Sequence, residues 1–340
     1  MPENLVSVLS TIPIPDPWLE RLRRNAPKCQ LSVVPANKAE EVPLETWQNT
    51  DVLFTYRIIP QMENVPRLKW VQVYRSSMEH VLENPLLKNE NVKFTTMSGA
   101  HAPQVGEFIM TSILTLGHQI PEIVNYHGKR EWDVKRWRQF KSVELRGSKV
   151  GIVGYGSVGR EVARLMRPFD VKILASKLDV MHPADSGFTL EGKGDPDGSL
   201  FHRLYPPQAI RPMLKECDFV VVSVPLTDQT MNLFTKDVYE SVKPGCFLVS
   251  VSDRRITPFD ALNSAIQDKH IRGAVLDVFD DAPPPQDHAL WKLPNVILTP
   301  RLASRSPMDF DQALTLFSEN LTRFMEGNDL YNLYQPERGY

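Results

Sequence analysis

The chain has 340 residues, 24% of them charged, and a formal net charge of −2. That length supports two domains with sizeable cores, and the near-neutral balance excludes the electrostatic footprint of a nucleic-acid or acidic-membrane binder. No apolar run reaches bilayer length, the first residues lack a basic-then-apolar leader, and Cys29, Cys217 and Cys246 have no metal or disulfide spacing, so the expectation is a cytoplasmic α/β protein that holds no metal.

Residues 5–9 read as a first strand and 17–24 as a short helix behind a proline-rich turn. Strands follow at 31–34, 52–56, 70–74 and 92–95, separated by polar helical stretches. That alternation predicts a mainly parallel sheet. At 102–116 the pattern lengthens into a helix with Pro103 in its first turn and Val105, Phe108, Ile109, Ser112, Ile113 and Leu116 along one face, a connector from a first domain to a second. Residues 127–140 then mix cations with Trp132 and Trp137. The patch is local and acids interrupt it, so it reads as a partner-subunit surface or an arm over the second domain.

The segment KVGIVGYGSVGR carries the strongest motif. Residues 150–153 are a short β-branched run suited to a buried parallel strand, and Gly154, Gly156 and Gly159 follow in G-x-G-x-x-G spacing. Val162, Ala163, Leu165 and Met166 continue as an amphipathic helix. Strand, glycine turn and helix in that order form a dinucleotide-binding element: the first glycine permits the turn, the second lets a pyrophosphate approach the backbone, and the third lets helix and strand pack closely. The anion would rest on the N–H groups that open the helix.

A second strand at 171–175 is followed by an excursion, 179–210, rich in Gly, Pro and Asp and longer than ordinary loops; it is read as an ordered surface excursion or a partly mobile one. A helix resumes at 213–216. Strands follow at 218–224, 247–251, 274–278 and 296–298, with a helix at 260–267. Finally Phe310, Leu314, Phe317, Leu321 and Phe324 form a helical stripe stopped at Gly327, which is expected to pack back on the first domain.

Taken together, SGAHAPQVGEF, VGIVGYGSVGREVA, CDFVVVSVPLTDQT, VKPG, GAVLDVF and LPNVILTP, in that order, resemble the D-isomer-specific 2-hydroxyacid dehydrogenase family over nearly the whole chain. The resemblance implies two Rossmann-like, doubly wound α/β domains, each on a mainly parallel sheet, with a cleft between them. Residues 1–101 and 305–340 would form a flavodoxin-like substrate domain, and 102–304 the dinucleotide domain. It also implies a small anionic ligand and a homodimer.

The cofactor positions implied are Gly154, Tyr155, Gly156, Ser157, Val158 and Gly159 in the turn, then Ser176 and Lys177 at the end of the second strand. Val224, Pro225, Thr230, Val251, Ser252 and Asp277 follow at later strand ends, Asp277 matching the carboxylate that meets the nicotinamide carboxamide. An acidic residue after the second strand selects NAD and a basic one accommodates the 2′-phosphate of NADP. Lys177, preceded by Ser176, favours NADP over NAD, while Asp179 keeps NAD open.

The catalytic Arg, Glu and His that the resemblance implies fall on Asp253, Ala282 and Arg301. All three are substituted. Arg301 cannot shuttle a proton, since neutralising it near pH 7 costs about 7 kcal/mol. Asp253 opposes a substrate carboxylate by about 4 kcal/mol at about 4 Å and an effective dielectric near 20. Asp253 and Arg301 either pair across the old substrate site or stand as two solvated side chains. Arg75, Ser76 and Ser77 align with the loop that meets a substrate carboxylate, and Arg254 is a further candidate anion contact. His101 is either a replacement acid–base or a helix-start packing residue. Two functions therefore stand open: an NAD(P)-dependent oxidoreductase with a rebuilt substrate site, or an NAD(P)-binding sensor, scaffold or partner subunit without turnover.

Overall fold

A computed structural model describes residues 5–78, 80–130, 140–277 and 284–340. Two compact units emerge, Met1–His101 with Pro307–Tyr340, and Ala102–Ser306. The second crossing thus falls two residues beyond the expected 304/305 boundary.

The first unit is built on five strands, β1 (Val6–Ser10), β2 (Cys29–Val33), β3 (Val52–Thr55), β4 (Trp70–Val73) and β5 (Lys93–Thr95), in the order β2-β1-β3-β4-β5. Every pairing among them is parallel. Parallel strands are covered on both faces, which is why β3 and β4 are buried at every position and read as continuous runs with little alternation. The helix Asp309–Glu326 returns to this sheet. Its Phe317 ring stacks on Phe54 at 4.5 Å and Phe324 lies 5.5 Å from Trp70. A buried polar chain fixes the register of helix on sheet: Trp70 Nε1 donates to Thr95, Thr95 to Gln72 and Asn320 to Gln72, at 2.8, 2.8 and 3.0 Å. The helix stops where Gly327 takes a left-handed φ of 75°, a conformation that favours glycine.

The second unit carries seven parallel strands, β6 (Lys149–Val153), β7 (Lys172–Ser176), β8 (Arg203–Tyr205), β9 (Phe219–Val222), β10 (Cys246–Ser250), β11 (Ile271–Asp277) and β12 (Val296–Thr299). Their order is β12-β11-β10-β9-β6-β7-β8, so the winding reverses between β9 and β6. The helix Ala102–Gly117 packs on this sheet and on the helix Ser157–Met166, and a Cβ on Gly106 would lie 2.9 Å from Glu161 Cγ. The elements that were not anticipated include one strand and one helix. The excursion contains β8, whose three residues extend the sheet beside β7, because backbone pairing needs no hydrophobic period. The helix Ile120–Gly128 opens the cation-rich stretch, entered through Gln119 in the left-handed region at φ 54°. Trp132 and Trp137 lie outside the described residues.

Phe317 has no solvent exposure and meets two aromatic rings. Phe317→Ala is expected to cost about 3–5 kcal/mol, read as a lower denaturation midpoint of the full chain. A loss below about 1 kcal/mol would show that this contact does not hold the returning helix.

Candidate functional site

The turn after β6 is shaped by three glycines with three different constraints. Gly154 has φ 99°, and a Cβ there would lie 2.8 Å from both the Ser223 carbonyl oxygen and Val224 Cγ1. A Cβ on Gly159 would meet the Gly154 carbonyl oxygen at 2.4 Å, so helix and strand touch at that point. Gly156 faces open space, with nothing within 4 Å of an added Cβ. It also caps the helix Ser157–Met166 without any side-chain cap, so the helix start presents N–H groups that no capping side chain satisfies. Open space before an uncapped helix start fits a pyrophosphate. Ser157, Val158 and Gly159 supply that first turn.

The reversal of strand order brings the loop after β9 against this turn. Ser223 donates its N–H to Val153 O at 2.9 Å and its hydroxyl to Gly154 O at 3.1 Å. Next to it, Thr230 Oγ1 donates to Pro225 O at 2.6 Å and accepts Thr227 N at 2.8 Å, closing the loop that starts at Val224. From the end of β10, Ser252 donates to Val224 O at 2.9 Å, and Val251 N–H to Val222 O at 3.0 Å. The predicted cofactor positions of this half therefore share one end of one sheet, where open α/β sheets bind ligands.

Tyr155 departs from its predicted part. Its side chain is buried, and only its backbone belongs to the turn, donating to Ser176 O at 2.8 Å. The phenol instead donates to Asp195 Oδ2 at 2.7 Å, in the excursion. Arg160, 1% exposed, lies 4.9 Å over the Tyr155 ring and donates to the carbonyls of Asp195 and Pro183, with Asp185 3.5 Å from its Nε. Asp195 also accepts Ser199 N and Leu200 N at 3.0 Å each. Burial alone would raise the Asp195 carboxyl, but these N–H groups, the Tyr155 hydroxyl and the Arg160 charge hold it below the usual range. Burial, and then the bond to Asp195, push the Tyr155 phenol far up. Glu161, also buried, accepts Gly194 N at 2.7 Å and is forked by Arg164 at 2.8 and 2.6 Å. The excursion is thus ordered by polar contacts to the glycine-turn helix, a feature that no apolar pattern in the sequence announces.

At the end of β7, Ser176 is buried and its carbonyl accepts Gly154 N at 3.2 Å. Lys177 Nζ donates to the carbonyls of His182 and Ala184. Asp179 is turned into its own loop, accepting Met181 N at 3.1 Å and His182 Nδ1 at 2.8 Å; the His182 bond chiefly lowers its carboxyl.

The positions where the resemblance places catalytic residues are held as follows. Asp253 accepts Arg255 N and Nε at 2.8 Å each and Nη2 at 2.9 Å, a bidentate pair on one short loop, so the negative charge expected to repel a carboxylate has a cation two residues away. Arg254 beside it is half-buried. Asp277 is buried and accepts Thr299 Oγ1 at 2.6 Å, Leu302 N at 2.7 Å and Ala303 N at 2.7 Å. It therefore shapes the segment that carries Arg301, whose side chain is exposed and whose φ of 52° is left-handed. Ala282 lies outside the described residues.

In the first unit, β4 ends in Tyr74, Arg75, Ser76 and Ser77. The Arg75 guanidinium sits 5.0 Å over the Tyr56 ring, without an ion-pair or hydrogen-bond partner among the described residues. Ser76 is exposed and Ser77 half-buried. His101 presents its ring edge-on to Tyr74 at 6.1 Å. Tyr74, Tyr56, Phe310, Thr11, Ile12 and Ile14 line a depression of about 680 Å³ at this end of the sheet. No group of three or more His, Cys, Asp or Glu suited to a metal occurs among the described residues, and none of their helices is long and apolar enough to cross a membrane.

Comparison with known proteins places this geometry. A family model for the D-isomer specific 2-hydroxyacid dehydrogenase NAD binding domain matches residues 110–303. A glyoxylate reductase of Thermofilum pendens is 27% identical over 268 residues, covering 78% of this chain and 74% of that protein. A glyoxylate reductase of Thermococcus gammatolerans is 27% identical over 94% of this chain and 93% of its own. The fold is that of a D-isomer specific 2-hydroxyacid dehydrogenase from Xanthobacter autotrophicus, solved with NADPH and MES, at a TM-score of 0.77 and 21% identity over 99% of this chain and 100% of that one.

Proposed function

The chain belongs to the D-isomer specific 2-hydroxyacid dehydrogenase family, and we propose that it is an NAD(P)-dependent oxidoreductase whose substrate side has been rebuilt for an anionic oxo or hydroxy compound with a bulky apolar side chain. One observation carries the reading: an open Gly156 before an uncapped helix start, at the reversal of strand order in the sheet of the second unit. The apolar side chain is read from the aromatic depression of the first unit, where Arg75 lies over the Tyr56 ring. The relatives named glyoxylate reductase support the reaction class.

A nicotinamide dinucleotide held at the glycine turn, Gly154–Gly159, would supply the hydride. The protein's own residues supply binding and proton control. Arg75 meets the carboxylate, Ser76 and Ser77 lend polar contacts beside it, and Tyr56, Tyr74 and Phe310 receive the apolar side chain. His101 is the imidazole that gives or takes the proton on the substrate oxygen. Arg254 and Arg301 raise the positive potential available to an anion. The protein is expected to reduce phenylpyruvate or a branched 2-oxo acid better than glyoxylate, followed as loss of NADPH absorbance. Arg75→Gln is expected to raise KM about tenfold or more. Equal rates for all acids, or an unchanged KM, would remove the substrate assignment. A dinucleotide-dependent rise in Tm with no oxidation of the cofactor across the panel would leave the binding protein without turnover.

For the cofactor, we favour NADP. The residue that follows the end of β7 is the cation Lys177, and the carboxylate two residues on, Asp179, accepts from its own loop. NADPH is expected to bind more tightly than NADH, and Lys177→Ala to reduce that ratio about tenfold. A variant with an unaltered ratio would show that Lys177 does not discriminate.

A homodimer is the assembly we propose. The helix Ile120–Gly128 has no buried residue, and Ile120, Ile123 and Val124 are 43%, 37% and 63% exposed at helical spacing, an apolar face of the kind that interfaces cover. Light scattering is expected to give twice the chain mass, and Val124→Glu to shift it toward the monomer. A monomeric wild type would end this proposal.

A further inference from the structure

We propose that the 179–202 part of the excursion is a positioning element of the dinucleotide cradle, with Asp195 and, on the glycine-turn helix, Arg160 as the positioning residues. This rests on the NAD(P) reading of the glycine turn and adds to it a second layer of residues that hold the turn in shape.

Each part of the cradle is tied to the excursion separately. The turn is tied through the Tyr155 hydroxyl on Asp195 at 2.7 Å. The helix start is tied through Arg160 on the carbonyls of Asp195 and Pro183, and through Glu161 accepting Gly194 N at 2.7 Å. The strand end is tied through Lys177 on the carbonyls of His182 and Ala184. The excursion in turn is closed on itself, since a Cβ on Gly198 would lie 2.3 Å from the Pro183 carbonyl oxygen.

The sequence of the turn explains why such anchors matter. Tyr155 lies between Gly154 and Gly156, which have no side chains to hold them and the widest backbone freedom of any residue. Its phenol is therefore the side-chain handle on that part of the turn, and Asp195 grips it. Arg160 fixes the next stretch, because its guanidinium, 1% exposed, gives Nη1 and Nη2 to two carbonyls of the excursion, while Nε, without a hydrogen bond, lies 3.5 Å from the Asp185 carboxylate. A cover needed only for stability would bury apolar side chains, as Phe188 does; desolvating Arg160, Glu161 and Asp195 instead specifies geometry. The N–H groups at the helix start then point at the pyrophosphate without rearrangement on binding.

The test reads the Kd of NADPH and NADH for the full chain, by quenching of intrinsic Trp fluorescence, together with Tm in the absence of ligand. Asp195→Ala is expected to raise both Kd values about tenfold. Asp195→Asn keeps an oxygen that accepts the Tyr155 hydroxyl and is expected to recover affinity to within about threefold of wild type. Tyr155→Phe removes a single hydroxyl and is expected to weaken binding about threefold, with NADPH no longer slowing proteolysis within 179–202. A purely structural excursion predicts otherwise: lower Tm for the Ala and Phe variants with Kd within about twofold of wild type, and that result overturns the proposal. Should Asp195→Ala fail to fold, Tyr155→Phe decides alone by the same criterion. A wild type that binds neither dinucleotide overturns the NAD(P) reading itself, whereas a binding wild type with unaffected variants overturns only the positioning role.

Discussion

A guanidinium stripped of water is stable only where opposing charges and dipoles replace the water it has lost. Arg160 meets that condition with two carbonyls, the Asp185 carboxylate and the face of the Tyr155 ring. None of these partners belongs to its own helix, so the charge forces a relation among the glycine turn, the helix that follows it and a segment more than twenty residues away. Asp195 completes the relation by accepting from the turn and from its own loop at once. Losing one member leaves another buried and unmatched, which makes the group act as a unit.

The same end of the sheet gathers the other constraints of the second unit. Parallel strands deliver their carboxyl ends to one edge, and the reversal of winding between β9 and β6 leaves a gap there because neighbouring connections diverge. Residues at that edge work mainly as fasteners between loops. Ser223 holds Gly154, Ser252 holds Val224, and Asp277 holds the backbone of Leu302 and Ala303. Rigid loops around an open Gly156 are what a preorganised anion site requires.

Much of this was legible in the sequence, for identifiable reasons. β3, β4, β9 and β10 are short runs of buried apolar residues, and the stripe from Phe310 to Phe324 has a helical period, so burial wrote both patterns directly. The glycine turn was legible because steric limits at Gly154 and Gly159 admit no other residue. β8 was not, because an edge strand of Arg-Leu-Tyr is recruited by the free edge of β7 and not by its own composition. Tyr155 was read as a cofactor residue from its place between glycines; the direction of its side chain depends on Asp195, forty positions on, and local spacing has no access to that. Arg160 and Glu161 are charges on a helix whose apolar residues alone give it a pattern in the sequence. They are buried because the excursion brings them partners, and only the fold reveals those partners.

Asp253 and Arg301, where the resemblance places catalytic residues, are both held by specific contacts. Asp253 is half-buried and takes three donors from Arg255, one of them its backbone N–H. The carboxylate and the guanidinium offset each other's charge within one short loop. Arg301 occupies a left-handed backbone conformation uncommon for a non-glycine residue, on a segment whose next two N–H groups are fixed by Asp277. Asp277 therefore sets the path of the backbone just beyond Arg301. The glycine turn lies in the stretch that matches the family's NAD binding domain, and Asp253 and Arg301 lie in the same unit on segments whose backbone N–H groups are fixed by the Asp253 and Asp277 carboxylates.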